Sequence, residues 1–225
     1  MARNIQACRQ KIELKNMIPQ IRKKIFLARD GVNADSLRKK GINYKMVYGV
    51  PITTLRKIAA DYSPNAELAN KFWTEDNREL KILSTMMQDP ASFENADQWV
   101  DAVCNLELAE QACMNLFCKL QDAPQLAQKW IQSEKLYTLI CGFLLYTRLF
   151  SKNIPVEGEE AVIYFNSIDK ALNSNHLLLQ NAALNSLKRL GRQSVLHSKN
   201  ILAKFNPTSP FHEELKFEFD FFFQI

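Results

Sequence analysis

A chain of 225 residues, 47% of them hydrophobic, is long enough to bury a full core, either as one compact domain or as one continuous array of repeats. The net charge of +5 is modest but unevenly spread: residues 1–60 carry 14 Lys/Arg against three acids, and the remainder carries 15 against 21. A signal peptide and a membrane span are not expected, because residues 1–16 contain no apolar leader and the longest apolar run, 136–146, falls short of the roughly 20 residues a bilayer requires.

Six glycines and eight prolines leave few turn formers and favour helices joined by short loops. Apolar residues recur at i, i+3, i+4 and i+7 along nearly the whole chain. Ile5, Ile12, Ile18, Ile21, Ile25 and Phe26 mark a first helical region that stops at Asp30-Gly31. Ala34 to Lys40 reads as a short helix ended by Gly41, and after a loop at 43–50 Pro51 opens a helix through Ala60. Asn65 is positioned to cap AELANKFW, and Asn77 stands near the start of RELKILSTMMQ. Asp89-Pro90 is a stop and turn before a short helix from Ala96 to Val103. Further helices are expected at about 106–119, 124–132, 134–151, 158–172, 176–192 and 194–204. The tail FHEELKFEFDFFFQI suits a strand or a helix equally.

Helix pairs rising every 35–45 residues describe an all-α fold, an α-solenoid of HEAT-like or armadillo-like repeats forming an α-α superhelix. The expected organisation is a single domain over 1–225, with basic N-terminal helices in 1–60, repeats over about 50–205 and a tail from 206. No two repeats match strictly, so an irregular helical bundle is the alternative.

The basic end suggests a surface for a polyanion, although lysines that merely solubilise an N-terminal helix pair would give the same imbalance. The five cysteines are odd in number and scattered through apolar helical patterns, as buried thiols in a reducing compartment would be. Cys113 and Cys118 lack zinc spacing and have no nearby histidine, and no metal or cofactor is expected. Trp73, Trp99 and Trp130 lie on apolar helical faces, which favours core packing over base stacking. A Gly-rich phosphate loop, GxSxG and HExxH are all absent.

The stretch YGVPITTLRKIAADY, residues 48–62, resembles a motif of the DNA alkylation repair family, whose members are glycosylases built of HEAT-like repeats. Gly49 supplies the tight turn, Pro51 the fixed φ of a first helical turn, and Arg56 and Lys57 ride on a helix anchored by Leu55 and Ile58. LANKFWTEDNRELKILSTMM is similar to the family's next repeat, with Trp73 and Glu79 at its Trp and Glu positions. WVDAVCNLELAEQ and EKLYTLICGFLL resemble the segments that follow. The resemblance spans about 30–195. It implies a soluble cytoplasmic protein that holds double-stranded or damaged DNA in a basic concave groove and hydrolyses the N-glycosidic bond of cationic alkylated purines, without a base-binding cavity.

This sequence departs from the family where the chemistry is done. The family's Trp-Asp-x-x-Asp is replaced by Leu106-Glu107-x-x-Glu110, so a cation-supporting ring worth up to about 2 kcal/mol is missing. The catalytic Asp position falls on Glu110, one methylene longer, and a shift of about one ångström can lower the rate on the order of a hundredfold. The family's arginine falls near Leu139 or Ile140, with no Arg or Lys between Lys135 and Arg148, and its second Trp falls at about Asn185. Residues 75–134 hold 11 acids against four Lys/Arg, which opposes phosphate binding there. Glu107 and Glu110 are therefore either retained carboxylates or solvated acids that complement a helix N-terminus.

The expected function is DNA binding through Arg22, Lys23, Lys24, Arg38, Lys39, Lys40, Lys45, Arg56 and Lys57, joined by Lys188, Arg189 and Arg192, with glycosylase activity weak or lost. One alternative is an active alkylpurine glycosylase using Glu110, with Tyr137 or Phe143 in place of the tryptophans. Another is a non-catalytic scaffold that binds a protein partner.

Overall fold

The computed structural model describes residues 2–224, with side chains described from Leu14 onward except Lys15; Ile5, Cys8 and Ile12 lie outside the described side chains. The helices form two compact units, residues 1–94 and 95–225.

The N-terminal unit contains α1 (Ala2–Leu27), α2 (Gly31–Lys39), α3 (Ile52–Ala60), α4 (Ala66–Trp73) and α5 (Arg78–Met87). Side-chain caps set several helix starts. Asp30 accepts from Asn33 N, Asn65 from Leu68 N and Asn77 from Leu80 N, at 2.9–3.0 Å. Each such cap is worth about 1 kcal/mol. The Asp30 cap starts α2 at Gly31, three residues earlier than the sequence pattern suggests. Leu55, Leu68, Phe72, Leu80, Leu83 and Met87 form the core between α3, α4 and α5.

The C-terminal unit contains α6 (Ala96–Asp101), α7 (Leu106–Asn115), a 3-10 turn at Phe117–Lys119, α8 (Ala123–Trp130), α9 (Leu136–Ser151), α10 (Gly158–Leu172), α11 (Leu177–Gly191), α12 (Val195–Leu202) and α13 (Pro210–Phe223). Successive helices pair, α8 with α9 and α10 with α11, while α9 lies between α7 and α11. This is the contact pattern of stacked helical repeats. It also explains why 136–146 is apolar all round: a helix flanked on several sides has little solvated face. Phe143, Tyr146, Phe150 and Tyr164 form an aromatic cluster with ring centroids 4.9–6.5 Å apart. Burying such a side chain contributes about 1.5–3 kcal/mol. Gly142 lets α9 approach the end of α8, since a Cβ there would lie 2.7 Å from Ile131 N.

The tail is a helix. Its phenylalanines alternate like a strand, but Leu215 and Phe219, four residues apart, are the buried pair, while Phe217 and Phe221 are 74% and 78% exposed. Phe219 packs over Gly191, where a Cβ would come within 2.2 Å of its ring. Among the described residues no helix is long and apolar enough to cross a membrane. Cys113 and Cys141 are buried free thiols, whereas Cys104 is exposed and Cys118 half-buried.

Candidate nucleic-acid interface and acidic site

In the N-terminal unit the tyrosine-glycine-valine turn is built around one carboxylate. Glu79, fully buried, accepts from Tyr48 N at 3.1 Å, Gly49 N at 3.0 Å and Val50 N at 3.3 Å. Its Oε1 also accepts from Arg78 Nη1 at 2.8 Å, and the same nitrogen donates to Val50 O at 3.1 Å. Gly49 has φ +74°, and a Cβ there would meet Asp30 O at 2.2 Å. The turn therefore requires glycine on two grounds, backbone conformation and space. Because the turn leads directly into α3, this network sets where Arg56 and Lys57 emerge.

The cations of this unit fall into two groups. Arg22 pairs with Glu75 at 2.7 Å, Lys24 with Asp61, and Arg38 with Asp35 at 3.0 Å while also donating to Val47 O at 3.1 Å. The Asp61 hydrogen bond raises the pKa of Lys24, which keeps it charged. Solvent screens exposed pairs of this kind, so a phosphate can displace the carboxylate. Lys23, Lys39, Lys40, Lys45 and Lys57 are exposed and form no ion pair among the described residues. Arg56 is exposed as well.

In the C-terminal unit Asn105 caps α7 by accepting from Leu108 N at 2.9 Å, which places Glu107 in the first turn and Glu110 one turn on. Glu107 is half-buried, and solvent reaches Glu110. Partial desolvation of its otherwise exposed carboxyl raises the pKa of Glu110 first and the charge of Glu107 raises it further, while Arg148 opposes both. Arg148 stands in the last turn of α9, exposed and without an ion pair among the described residues. The acidic site therefore has an arginine from the adjacent helix, though not at Leu139 or Ile140, where sequence position suggested one. The signal available was the break in apolarity at Arg148 in an otherwise apolar helix.

A raised carboxyl pKa in the folded state means the ionised form is penalised there. That penalty is fully present above the folded-state value and is gone below the unfolded-state value. Glu110→Gln is accordingly expected to raise the thermal midpoint at pH 7 only slightly, because solvent screens this exposed group, with the gain shrinking as the pH falls toward the carboxylate range. Melting curves of the two proteins at several pH values check this.

No tryptophan is available to the acidic site. Trp73, Trp99 and Trp130 are 6%, 3% and 1% exposed. Trp130 packs edge-on against Phe117 at 4.9 Å and donates from Nε1 to Asp97 at 2.9 Å, an interaction that, after the Lys129 hydrogen bond, holds the Asp97 carboxyl below its usual range. Asn185, at the second tryptophan position, is exposed on α11. Phe143 is buried and Tyr137 half-buried, so Phe143 offers no free ring face. The second basic cluster is largely committed to the tail helix. Lys188 pairs with Glu214 at 2.6 Å, and Arg192 pairs with Glu218 while lying over the Phe222 ring; Arg189 is exposed without an ion pair among the described residues. No three His, Cys, Asp or Glu side chains converge as metal ligands among the described residues.

Residues 21–210 match the family model described as DNA alkylation repair enzyme. The chain belongs to this family. The family's fold is recognisable in a solved structure described as representing "a new family of proteins related to the HEAT-like repeat DNA glycosylases with affinity for branched DNA structures". That structure is 18% identical to this chain, covers 90% of it and 93% of its own length, and superposes with a TM-score of 0.76. No curated protein matches the chain. The fold of this alkylation-repair family member is thus an all-α array of HEAT-like repeats, in which Glu110 feels the charge of Arg148 and no tryptophan is accessible.

Proposed function

We propose that this DNA alkylation repair family member binds branched DNA through the exposed cations of its N-terminal unit and does not excise bases at a useful rate. The observation that carries this reading is the asymmetry between the two candidate surfaces. Five lysines of the N-terminal unit have no ion pair among the described residues, whereas the acidic site lacks both ring faces that would support a cationic sugar. Phosphate neutralisation supplies most of the affinity in sequence-independent binding, so the lysines suffice for a binding function. Stabilising an oxocarbenium-like transition state demands placed groups, and a glutamate beside Glu107 with its ionisation penalised is a weaker stabiliser than an ionised aspartate under a tryptophan. The likeness in fold to a protein with affinity for branched DNA supports a branched ligand over a linear one.

Competition between a four-way junction and a linear duplex of the same sequences tests the ligand. The junction is expected to bind about tenfold more tightly, a difference of roughly 1.4 kcal/mol. Equal affinities would remove the branched ligand from the reading, and no binding of either would favour a protein-binding scaffold.

A further inference from the structure

A cavity of about 550 Å³ opens within the C-terminal unit, where α8 turns into α9 and α10 turns into α11. Small-molecule sites occupy roughly 300–1,000 Å³. Leu139 and Leu179 give it apolar walls, and Glu134, Ser167, Lys170 and His176 bring polar atoms to it.

Three features together define what it would hold. The first is Ser167, 9% exposed, which lines the cavity and forms no hydrogen bond among the described residues. Ser84, Thr147 and Ser151 each return their hydroxyl to the carbonyl four residues back, the usual recourse inside a helix. Ser167 does not; the residue is mostly covered, but its hydroxyl is not a sealed, orphaned atom, so it stays open at the cavity to serve a ligand. The second is the pair of helix starts at the cavity. α9 and α11 have 16 and 15 residues, and neither Lys135 nor His176 caps its helix with a side chain. Their first-turn N–H groups and positive dipole ends favour an anion. The third is Lys170, exposed and without an ion pair among the described residues, which adds a positive charge.

We propose that this cavity binds a nucleoside monophosphate, either free or as the 5′-phosphorylated end of a DNA strand. The phosphate lies against Lys170 and the first turn of α11, beside His176. Ser167 donates to the phosphate or its ester oxygen, the base rests on Leu139 and Leu179, and Glu134 accepts from a sugar hydroxyl or a ring amine. Among the described lining residues Lys170 is the only lysine or arginine, so its charge suits a single phosphate better than a triphosphate. The site does not depend on the branched-DNA reading, because none of the N-terminal lysines contributes to it.

Calorimetric titration of the full chain with dAMP tests the proposal. Saturable binding at one site is expected, weakened about tenfold in Lys170→Ala and several-fold in Ser167→Ala, as loss of hydrogen bonds to a charged group predicts. Deoxyadenosine, lacking the phosphate, is expected to bind about tenfold more weakly than dAMP. Displacement of dAMP by a 5′-phosphorylated oligonucleotide but not by its 5′-hydroxyl counterpart identifies the strand end as the source of the phosphate; equal failure of both identifies the free nucleotide. The proposal is overturned if dAMP does not bind at millimolar concentration, if deoxyadenosine binds equally well, or if Lys170→Ala binds dAMP like the parent protein. Lys170 is exposed, so its variant stays informative even if Ser167→Ala fails to fold.

Discussion

Replacing Glu79 by alanine is expected to destabilise the N-terminal unit by about 3–5 kcal/mol, the usual effect of removing one member of a buried ion pair. Arg78, 2% exposed, would lose its carboxylate partner in the interior. Tyr48, Gly49 and Val50 would each lose the acceptor of a backbone N–H, and buried unsatisfied donors cost about 1–3 kcal/mol apiece. Set against a typical total stability of about 5–15 kcal/mol, this is a large fraction. Removing Arg78 as well is not expected to restore stability, because the three N–H groups stay orphaned. Urea unfolding of the single and double variants separates this account from one in which the ion pair alone matters, where the double variant would recover most of the loss. The effect also bears on function, since the turn that Glu79 holds determines how the chain enters α3 and displays Arg56 and Lys57.

Neutralising Lys23, Lys39, Lys40, Lys45 and Lys57 together is expected to weaken junction binding on the order of a hundredfold at about 0.1 M salt. For every phosphate no longer neutralised, the plot of log affinity against log salt should flatten by about one unit of slope. Among the described residues these five lysines have no ion pair to break, so their charge is available to phosphate. Arg22, Lys24 and Arg38 must first leave Glu75, Asp61 and Asp35, and removing them individually is expected to matter less. An unchanged salt slope in the five-lysine variant would move DNA binding away from this unit.

Local features are legible in the sequence. Asn65 and Asn77 can be read as caps because capping depends on residues three apart, and 158–172 can be read at both ends because its apolar spacing is uninterrupted. The tail cannot, since phenylalanine at 217, 219 and 221 satisfies a period of two while Leu215 and Phe219 satisfy a helical one. Docking of Phe219 over Gly191 decides between them, and that packing is tertiary. In the site, Glu79 is legible as a family position but not as the acceptor of a turn some 30 residues upstream. The commitment of Lys188 and Arg192 to Glu214 and Glu218 is equally hidden, because the 26-residue separation carries no pattern. Counting along the chain does not find Arg148, whose proximity to Glu110 depends on how α9 lies against α7.

The central claim is DNA binding without excision, and base release measures it most directly. Protein in excess over DNA carrying 7-methylguanine, at concentrations where the DNA is shown to be bound, should release no more free base than buffer alone. Release by the parent protein that Glu110→Gln abolishes would contradict the claim and make the acidic site a working glycosylase centre.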